Sequence, residues 1–447
     1  MKHSAILLLV LVMMTAQPTH SLSQERGGRE VLWLRGPAQT SAPWSRAEDA
    51  ARRENYKFIS AYRNTYESDV TARTIPEWAE FFNSQGGTDV LGIGHDAGGL
   101  VLRYMNTLPT NSRLSAMILD GVPNQGAKIM DKLLTTENPT SIAQDMVSKL
   151  LDLRTRAQGC HGCRMLEATQ RWLSHFSTLN NRSFYGQLRS TSPVIQNLGL
   201  PTIPYAVIWG NENEEDGLVL TRLVSSWHSR GLWGQDHEYL ECYRKEIEKA
   251  MKKEKDRKLF DVIGSLLGFA AGVSQVVVGT TSSPPNPTVV INGVTTAVNA
   301  ISNGIRALSV EDKTREALEC ELVHQALNAQ WSMMVAPYLL KEGTAAVPCL
   351  PCSHCAGMGP GLIDGCLAIC SHNCDENVEI YTYQYYEFEP HDGLLTRSEQ
   401  LLAGAAKTYE AQKVNHFQEQ FWEYTPIGNA FQDLFNGGAG AAFVVPK

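Results

Sequence analysis

Hydrophobic residues occur along the chain in short blocks that are bounded by polar, glycine or proline residues. Blocks of this length and setting are typical of strands buried in a sheet. They predict strands at residues 29–34, 56–60, 114–120, 204–210 and 379–386. Apolar residues at helical spacing predict a helix over residues 75–84. Alternating strands and helices favour an α/β architecture, with a mostly parallel sheet and helices on both faces.

The segment 89–104 (DVLGIGHDAGGLVLRY) has its own pattern. An apolar run ends in a glycine-rich turn, and the turn opens into an amphipathic stretch, which predicts strand, tight turn and helix. Gly94 and Gly98 stand two residues before and two residues after Asp96. A residue at such a turn has a strained backbone, so its neighbours must lack bulk.

This arrangement resembles the nucleophile elbow of the α/β-hydrolase superfamily, and in particular its lipase/esterase branch. The chain departs from that branch at the centre, because Asp96 stands where lipases have Ser. Residues 121–127 (GVPNQGA) resemble the lipase stretch Gly-x-Pro-(His/Asn)-x-Gly-(Ser/Ala). The alternative is that Gly and Pro simply end a strand there. The resemblance implies an α/β-hydrolase fold with a large inserted helical, Cys-rich cap.

The resemblance also implies a catalytic triad in the chain order nucleophile, acid, base. Asp96 holds the nucleophile position, and His416 follows a predicted last strand, as the family's final His does. Asp392 in Asp-Gly-Leu-Leu resembles the lipase Asp-Gly-x-Val signature. Asp216 has the same local form and is the alternative acid. Asp392 is preferred because only one helix and one strand fit between it and His416. Each could instead have a structural role: the acids as turn residues ahead of Gly, His416 as a surface side chain.

The resemblance places one oxyanion-hole donor at the backbone N–H of Ala97, directly after the elbow residue. The other donor of the family comes from the loop after the first core strand, where Arg35 replaces the usual His. When the strand and its loop are aligned with the family in this way, the donor position is Pro37, which has no N–H. A shift of one residue would make Ala38 the donor. Losing one such donor costs a factor of about 100 to 1000 in turnover.

An elbow carboxylate changes the expected chemistry. A Ser hydroxyl forms an acyl-enzyme with an ester, whereas a carboxylate would have to form an anhydride while expelling an alkoxide. A carboxylate can attack an sp³ carbon of an epoxide or a halide, and residues 94–98 (GHDAG) also resemble the elbow of haloalkane dehalogenases and epoxide hydrolases. Those enzymes usually have a bulky residue where this chain has Ala97.

Three hypotheses follow from the elbow. The chain is a lipase/esterase-like hydrolase with a changed nucleophile, an enzyme with an Asp nucleophile, or a non-catalytic binding protein on a hydrolase scaffold. We expect a small-molecule or lipid-like substrate and no cofactor. The formal charge of −8 over 447 residues argues against a nucleic-acid partner, which normally leaves a basic footprint.

The same resemblance assigns residues 22–127, 200–211 and 388–447 to the hydrolase core. It assigns residues 128–199 and 212–387 to the cap insertions. Cap insertions of this kind lie over the carboxyl ends of the strands, where open α/β sheets bind their ligands.

Two apolar cap segments, residues 259–279 and 288–310, flank a Ser- and Pro-rich break. Buried cap helices are the simpler interpretation. A surface that faces lipid or substrate, with contact to a membrane surface, is the alternative.

Residues 1–21 have a basic start, a short apolar core and a polar end, which predict a secretory signal peptide and hence a secreted protein. The ten Cys residues are then expected to form disulfides, because an even count in an exported chain favours them. Six of them fall within residues 349–374, a predicted Cys-rich knob. Their paired spacing also fits zinc, which is the alternative. The sequence does not fix the disulfide connectivity.

Overall fold

The computed structural model describes residues 28–37, 42–61, 69–85, 87–109, 113–134, 169, 172, 183–212, 219–228, 328, 331–332, 334–348 and 378–447. Several predictions concern residues outside these ranges: the signal peptide, all ten Cys residues, Ala38, Asp216 and the apolar segments 259–279 and 288–310. Within the part of the chain that the structure describes, every helix is too short or too polar to cross a bilayer.

Eight strands are described, and six of them form one parallel sheet. The eight strands are β1 (Arg29–Leu34), β2 (Phe58–Ser60), β3 (Val90–His95), β4 (Leu114–Asp120), β5 (Tyr205–Asn211), β6 (Tyr338–Pro348), β7 (Val378–Phe388) and β8 (Lys407–Gln412). The order in the large sheet is β2-β1-β3-β4-β5-β8, with every neighbouring pair parallel. The strands β6 and β7 pair with each other in antiparallel fashion.

The helices connect these strands in the order that a parallel sheet requires. They are α1 (Ala42–Arg53), α2 (Ile75–Asn83), α3 (Ala97–Thr107), α4 (Lys128–Leu134), α5 (Ser183–Gly186), α6 (Pro193–Gln196), α7 (Val219–His228), α8 (Arg397–Gln400) and α9 (Thr425–Phe435). Single 3₁₀ turns occur at Val70–Ala72 and Ala441–Phe443.

The two faces of the sheet carry separate hydrophobic clusters, because successive side chains of a strand point to opposite faces. In β1, Leu32 packs into one cluster and Trp33 into the other. The first cluster also holds the buried faces of α2 and α3, and the second holds those of α1 and α9. Helices therefore cover both faces, as predicted.

The second cluster is rich in aromatic rings. Trp33 lies 5.2 Å from Trp44 of α1, measured between ring centroids. Phe431 of α9 stacks on Trp422 at 5.5 Å with the planes 9° apart. Such pairs contribute stabilisation beyond the burial of their area, about 0.5–1.5 kcal/mol each. The contact between Trp44 and Phe431, 6.4 Å between ring centroids, joins α9 to the first strand–helix unit of the sheet.

Most predicted elements coincide with observed ones. Strands β1 and β4 have the predicted bounds, α2 ends one residue before its predicted end, and β5 begins and ends one residue later than predicted. The segment after β1 was expected as a polar loop, but α1 begins there at Ala42. Its buried positions include Ala47 and Ala51, small residues that give only a weak apolar stripe.

Parts of the predicted cap pack directly on the sheet. Ile129 of α4 and Leu223 of α7 belong to the same buried cluster as Leu119 of β4 and Val207 of β5. The parallel sheet, the helices on both faces and the turn after β3 give the chain the α/β-hydrolase fold. The Cys-rich cap itself lies outside the described residues and stays a prediction.

Candidate active site

The turn between β3 and α3 has the strained backbone that the glycine spacing predicts. Asp96 has φ 53° and ψ −131°, a region that non-glycine residues rarely occupy. Its N–H donates to the carbonyl of Asp120 (3.3 Å), and its carbonyl accepts from Gly99 (3.1 Å). A Cβ at Gly94 would overlap the backbone of Gly99, and a Cβ at Gly98 would overlap that of Leu34. The turn therefore presents Asp96 at the carboxyl end of the sheet.

The loop after β1 runs directly beside this turn. A Cβ at Gly36 would overlap the side chain of Asp96, and the buried guanidinium of Arg35 donates to the Gly36 carbonyl at 3.0 Å. The next residue, Pro37, has no N–H to donate. Ala97 begins α3, and the N–H of a first helical residue has no partner within its own helix. The N–H of Ala97 therefore lies at the start of α3, directly after Asp96.

The structure brings three of the predicted site residues together. Nδ1 of His416 lies 2.8 Å from Oδ2 of Asp392, and Nε2 of His416 lies 3.8 Å from Oδ2 of Asp96. His416 and Asp392 are completely buried, and the Asp96 side chain is 9% exposed. The arrangement is an acid, an imidazole and an elbow side chain in series. The alternative acid, Asp216, lies outside the described residues.

The Asp392 carboxylate is held by backbone donors as well as by the imidazole. Its Oδ1 accepts from the N–H groups of Leu394 (2.8 Å) and Leu395 (2.6 Å). The His416 N–H donates to the Asp392 carbonyl at 2.9 Å. The hydrogen-bond partners of the Asp392 oxygens are thus N–H donors, which a carboxylate accepts from. Asp392 therefore fixes both the position and the tautomer of His416, with the Nδ1 proton toward itself.

Two carboxylates act on the charge of His416. Burial lowers the pKa of the imidazole, but the charges of Asp392 and Asp96 and the hydrogen bond to Asp392 raise the pKa well above its ordinary value of 6.5. The two acidic neighbours therefore favour the imidazolium form of His416. Its Nε2 makes no hydrogen bond to any described residue and faces the elbow.

A second imidazole–carboxyl pair lies beside the first, and the sequence did not suggest it. Nε2 of His95 is 3.1 Å from Oε2 of Glu419, and both side chains are completely buried. The ring centroids of His95 and His416 are 4.5 Å apart. His95 directly precedes the elbow residue, and Glu419 follows His416 by three positions. These positions beside Asp96 and His416 were the signal in the sequence that could have pointed to the pair.

The carboxyl groups of Glu419 and Asp120 sit in the same buried region. Burial raises the pKa of Glu419 well above its ordinary value, Asp392 and Asp120 raise it further, and His416 lowers it. Burial likewise raises the pKa of Asp120, with His416 lowering it and Asp392 raising it. Neither oxygen of Asp120 has a hydrogen-bond partner among the residues that the structure describes.

The ring nitrogens and carboxylate oxygens of His95, His416 and Glu419 lie close enough together to share an ion. Each of the two rings, however, is already engaged in a hydrogen bond: Nε2 of His95 to Glu419, and Nδ1 of His416 to Asp392. A metal bound through those two nitrogens would need both of them in proton-free form. The contacts therefore fit a network linked by protons.

No protein-family model matches the chain, and the comparison with curated proteins found no relative. Among solved structures, the chain is similar to an extracellular α/β-hydrolase from a Paenibacillus species (14% identity, TM-score 0.24, 40% of this chain and 76% of that chain). It is also similar to the esterase EaEST from Exiguobacterium antarcticum (16% identity, TM-score 0.25, 41% of this chain and 74% of that chain). A third likeness is to epoxide hydrolases from metagenomes of hot environments (15% identity, TM-score 0.22, 48% of this chain and 79% of that chain). The sheet, the strained elbow and the side chains around it, more than these weak likenesses, identify the α/β-hydrolase fold.

Proposed function

We propose that the protein is a secreted hydrolase that uses the Asp96 carboxylate as its nucleophile. In this proposal His416 is the general base, Asp392 orients it, and the N–H of Ala97 is an oxyanion donor. The observation that carries the proposal is the contact series: Nε2 of His416 is 3.8 Å from Asp96 while Nδ1 is 2.8 Å from Asp392. Secretion rests on the predicted signal peptide in residues 1–21.

The electrophile that suits a carboxylate nucleophile is an sp³ carbon of an epoxide or an alkyl halide in a small or lipid-like molecule. An Asp96 oxygen forms a bond to that carbon as the carbon–halogen or strained carbon–oxygen bond breaks. The halide leaves as an anion, or the alkoxide of the opened epoxide takes up a proton from the His416 imidazolium. The product of this step is an alkyl ester of Asp96.

The charges around His416 suit the second half of the reaction. Esterification removes the Asp96 anion, and with it one of the groups that raise the pKa of His416. The imidazolium gives its proton to the alkoxide of an opened epoxide, or to solvent after a halide has left, and the neutral ring can then take a proton from water. The resulting hydroxide attacks the ester carbonyl, the alcohol leaves, and Asp96 is restored with one oxygen from solvent.

Heavy-oxygen labelling tests this proposal. Single turnovers of an epoxide or a haloalkane in H₂¹⁸O should place label in the Asp96 peptide, as mass spectrometry would show. His416→Gln should stall with the alkyl group still attached to Asp96, and Asp96→Asn should form no adduct. Turnover by the wild-type protein without label at Asp96 would exclude the carboxylate nucleophile.

A second candidate is a non-catalytic binding protein on the hydrolase scaffold. It is favoured by Pro37, which removes an N–H from the loop that lies against the elbow. A panel of esters, epoxides and alkyl halides separates the two functions. An absence of turnover across the panel, in a folded protein, would favour ligand binding, and the apolar segments 259–279 and 288–310 would then be the first regions to test for contact with ligand or membrane.

A further inference from the structure

The pair of His95 and Glu419 has no role in the reaction proposed above. It nevertheless lies against the base of that reaction, because Oε2 of Glu419 is 3.6 Å from Nδ1 of His416. Glu419 is completely buried, and it occupies a space that two strand ends leave for it. A Cβ at Gly121, after β4, or at Gly210, in β5, would overlap its carboxyl oxygens.

The hydrogen bonds of His95 show where the protons of this pair reside. The ring of His95 hydrogen-bonds to the backbone of His416 through an interaction that favours its protonated nitrogen, so that nitrogen is a donor. The other nitrogen, Nε2, faces Glu419 at 3.1 Å. In a neutral imidazole one nitrogen donates and the other accepts. With Nδ1 as the donor to that backbone, Nε2 is the acceptor and the carboxylic acid of Glu419 is the donor.

The surrounding charges support a neutral pair. Burial lowers the pKa of His95 well below its ordinary value, and the neighbouring cation of His416 lowers it further. The groups that face Glu419 are His95 from β3, Asp120 from the end of β4, Asp392, His416 from its own loop, and the backbone of Gly210 in β5, which lowers the pKa of Glu419. Two of these are carboxyl groups, which favour the protonated form of Glu419.

We infer that Glu419 is a neutral carboxylic acid that donates to Nε2 of His95, and that the two residues position His416 without competing with Asp392 for its Nδ1 proton. This deepens the proposed function, and its catalytic meaning rests on that function. An ionised Glu419 would be a second anion beside Nδ1. It would keep His416 charged after Asp96 has been esterified, when the reaction needs a neutral base.

Histidine NMR and infrared difference spectra test the inference without any substrate. For Glu419→Gln we expect loss of one carboxylic-acid C=O band at neutral pH. The apparent pKa of His416 should shift by less than about half a unit, because a neutral donor replaces a neutral donor. The matched control is Asp392→Asn, which removes an ionised partner. It should lower the pKa of His416 by about 1–3 units and remove no carboxylic-acid band.

Three results would overturn the inference. One is an unchanged acid band in Glu419→Gln. Another is a fall of about 1–3 units in the pKa of His416 in that variant, as expected on removal of an adjacent anion. The third is a divalent metal that the wild type retains in stoichiometric amount and the variant loses.

If Glu419→Gln does not fold, Asp120→Asn provides the same information. It should retain one carboxylic-acid band if Glu419 is neutral, and loss of every such band would overturn the inference. Because none of these readouts uses turnover, a failure of the proposed reaction is distinguishable from a failure of the inference.

Discussion

Gly36, two residues after the end of β1, lies directly against the carboxylate of Asp96. A Cβ at this position would overlap the Asp96 side chain. We therefore expect Gly36→Ala to displace Asp96 or the loop, to lower turnover at least tenfold, and to cost about 1–3 kcal/mol of unfolding free energy. Denaturant unfolding and turnover measurements check this. The matched control is Gly199→Ala, because a Cβ there meets no atom within 4 Å. Equal behaviour of the two variants would contradict the prediction.

Asp392→Asn should leave the fold intact and remove most of the activity. The amide can still accept from the backbone N–H groups of Leu394 and Leu395, but it no longer holds the Nδ1 proton of His416 as a carboxylate does. The corresponding change in a Ser-His-Asp triad lowers kcat by about 10⁴, and we expect a loss of similar size here. The control is Asp49→Asn on the exposed side of α1. A loss below tenfold in Asp392→Asn would show that another residue orients His416.

Asp96→Ser should convert the elbow to ordinary ester chemistry. The serine hydroxyl would stand near Nε2 of His416, with the N–H of Ala97 as an oxyanion donor. We expect slow hydrolysis of short-chain esters, about 100 to 1000 times slower than with a complete oxyanion hole, because Pro37 offers no donor. The double variant Asp96→Ser/His416→Gln is the control. Equal esterase activity in both variants would show that the activity does not arise at this site.

Asp120→Asn should make the protein more stable, and more so as the pH rises. Burial raises the pKa of Asp120 in the folded protein well above the ordinary value of 3.8. Above that value the unfolded chain loses the proton first, so the wild type is progressively destabilised until the pH reaches the raised pKa of the folded state. The asparagine variant lacks this loss, which amounts to about 1.4 kcal/mol for each unit between the two pKa values.

Thermal unfolding at several pH values checks this prediction. The difference in Tm between Asp120→Asn and the wild type should be smallest near pH 4 and should grow toward about pH 8. A difference that does not vary with pH would mean that Asp120 has the same protonation state in the folded and unfolded protein. Glu48→Gln serves as a comparison, since burial also raises the pKa of Glu48, at a position on α1 away from the proposed site.

The central strands of this fold were accessible from sequence because they are buried on both faces. Blocks such as 114–120 are then mostly apolar, and Gly121 follows the end of this block. The elbow was equally accessible, since the close contacts at Gly94 and Gly98 exclude any side chain. Helix α1 was not predicted, because Ala47 and Ala51 fill its buried face and its other positions are mostly polar.

The contact between His416 and Asp392 could be anticipated because the two residues lie in one stretch and resemble a known pattern. The pair of His95 and Glu419 could not, since 324 positions separate its members and neither has a local pattern. Only the approach of the β3 and β8 ends to the same edge of the sheet brings them together. A sequence also gives little reason to expect a buried Glu, because acidic residues are rarely found fully buried.

The position of β8 has a consequence for synthesis of the protein. Its first residue, Lys407, follows the last residue of β5, Asn211, by 407 − 211 = 196 positions. A ribosome needs roughly 10–40 s for that interval at about 5–20 residues per second. Until then the outer side of β5 lacks the strand that completes it, and an unpaired edge invites pairing with other chains. Asp392 and His416 also lie far beyond β5, so until they emerge a chain on the ribosome has five of the six strands of the sheet and lacks the proposed site. Chaperone protection would matter most in that interval.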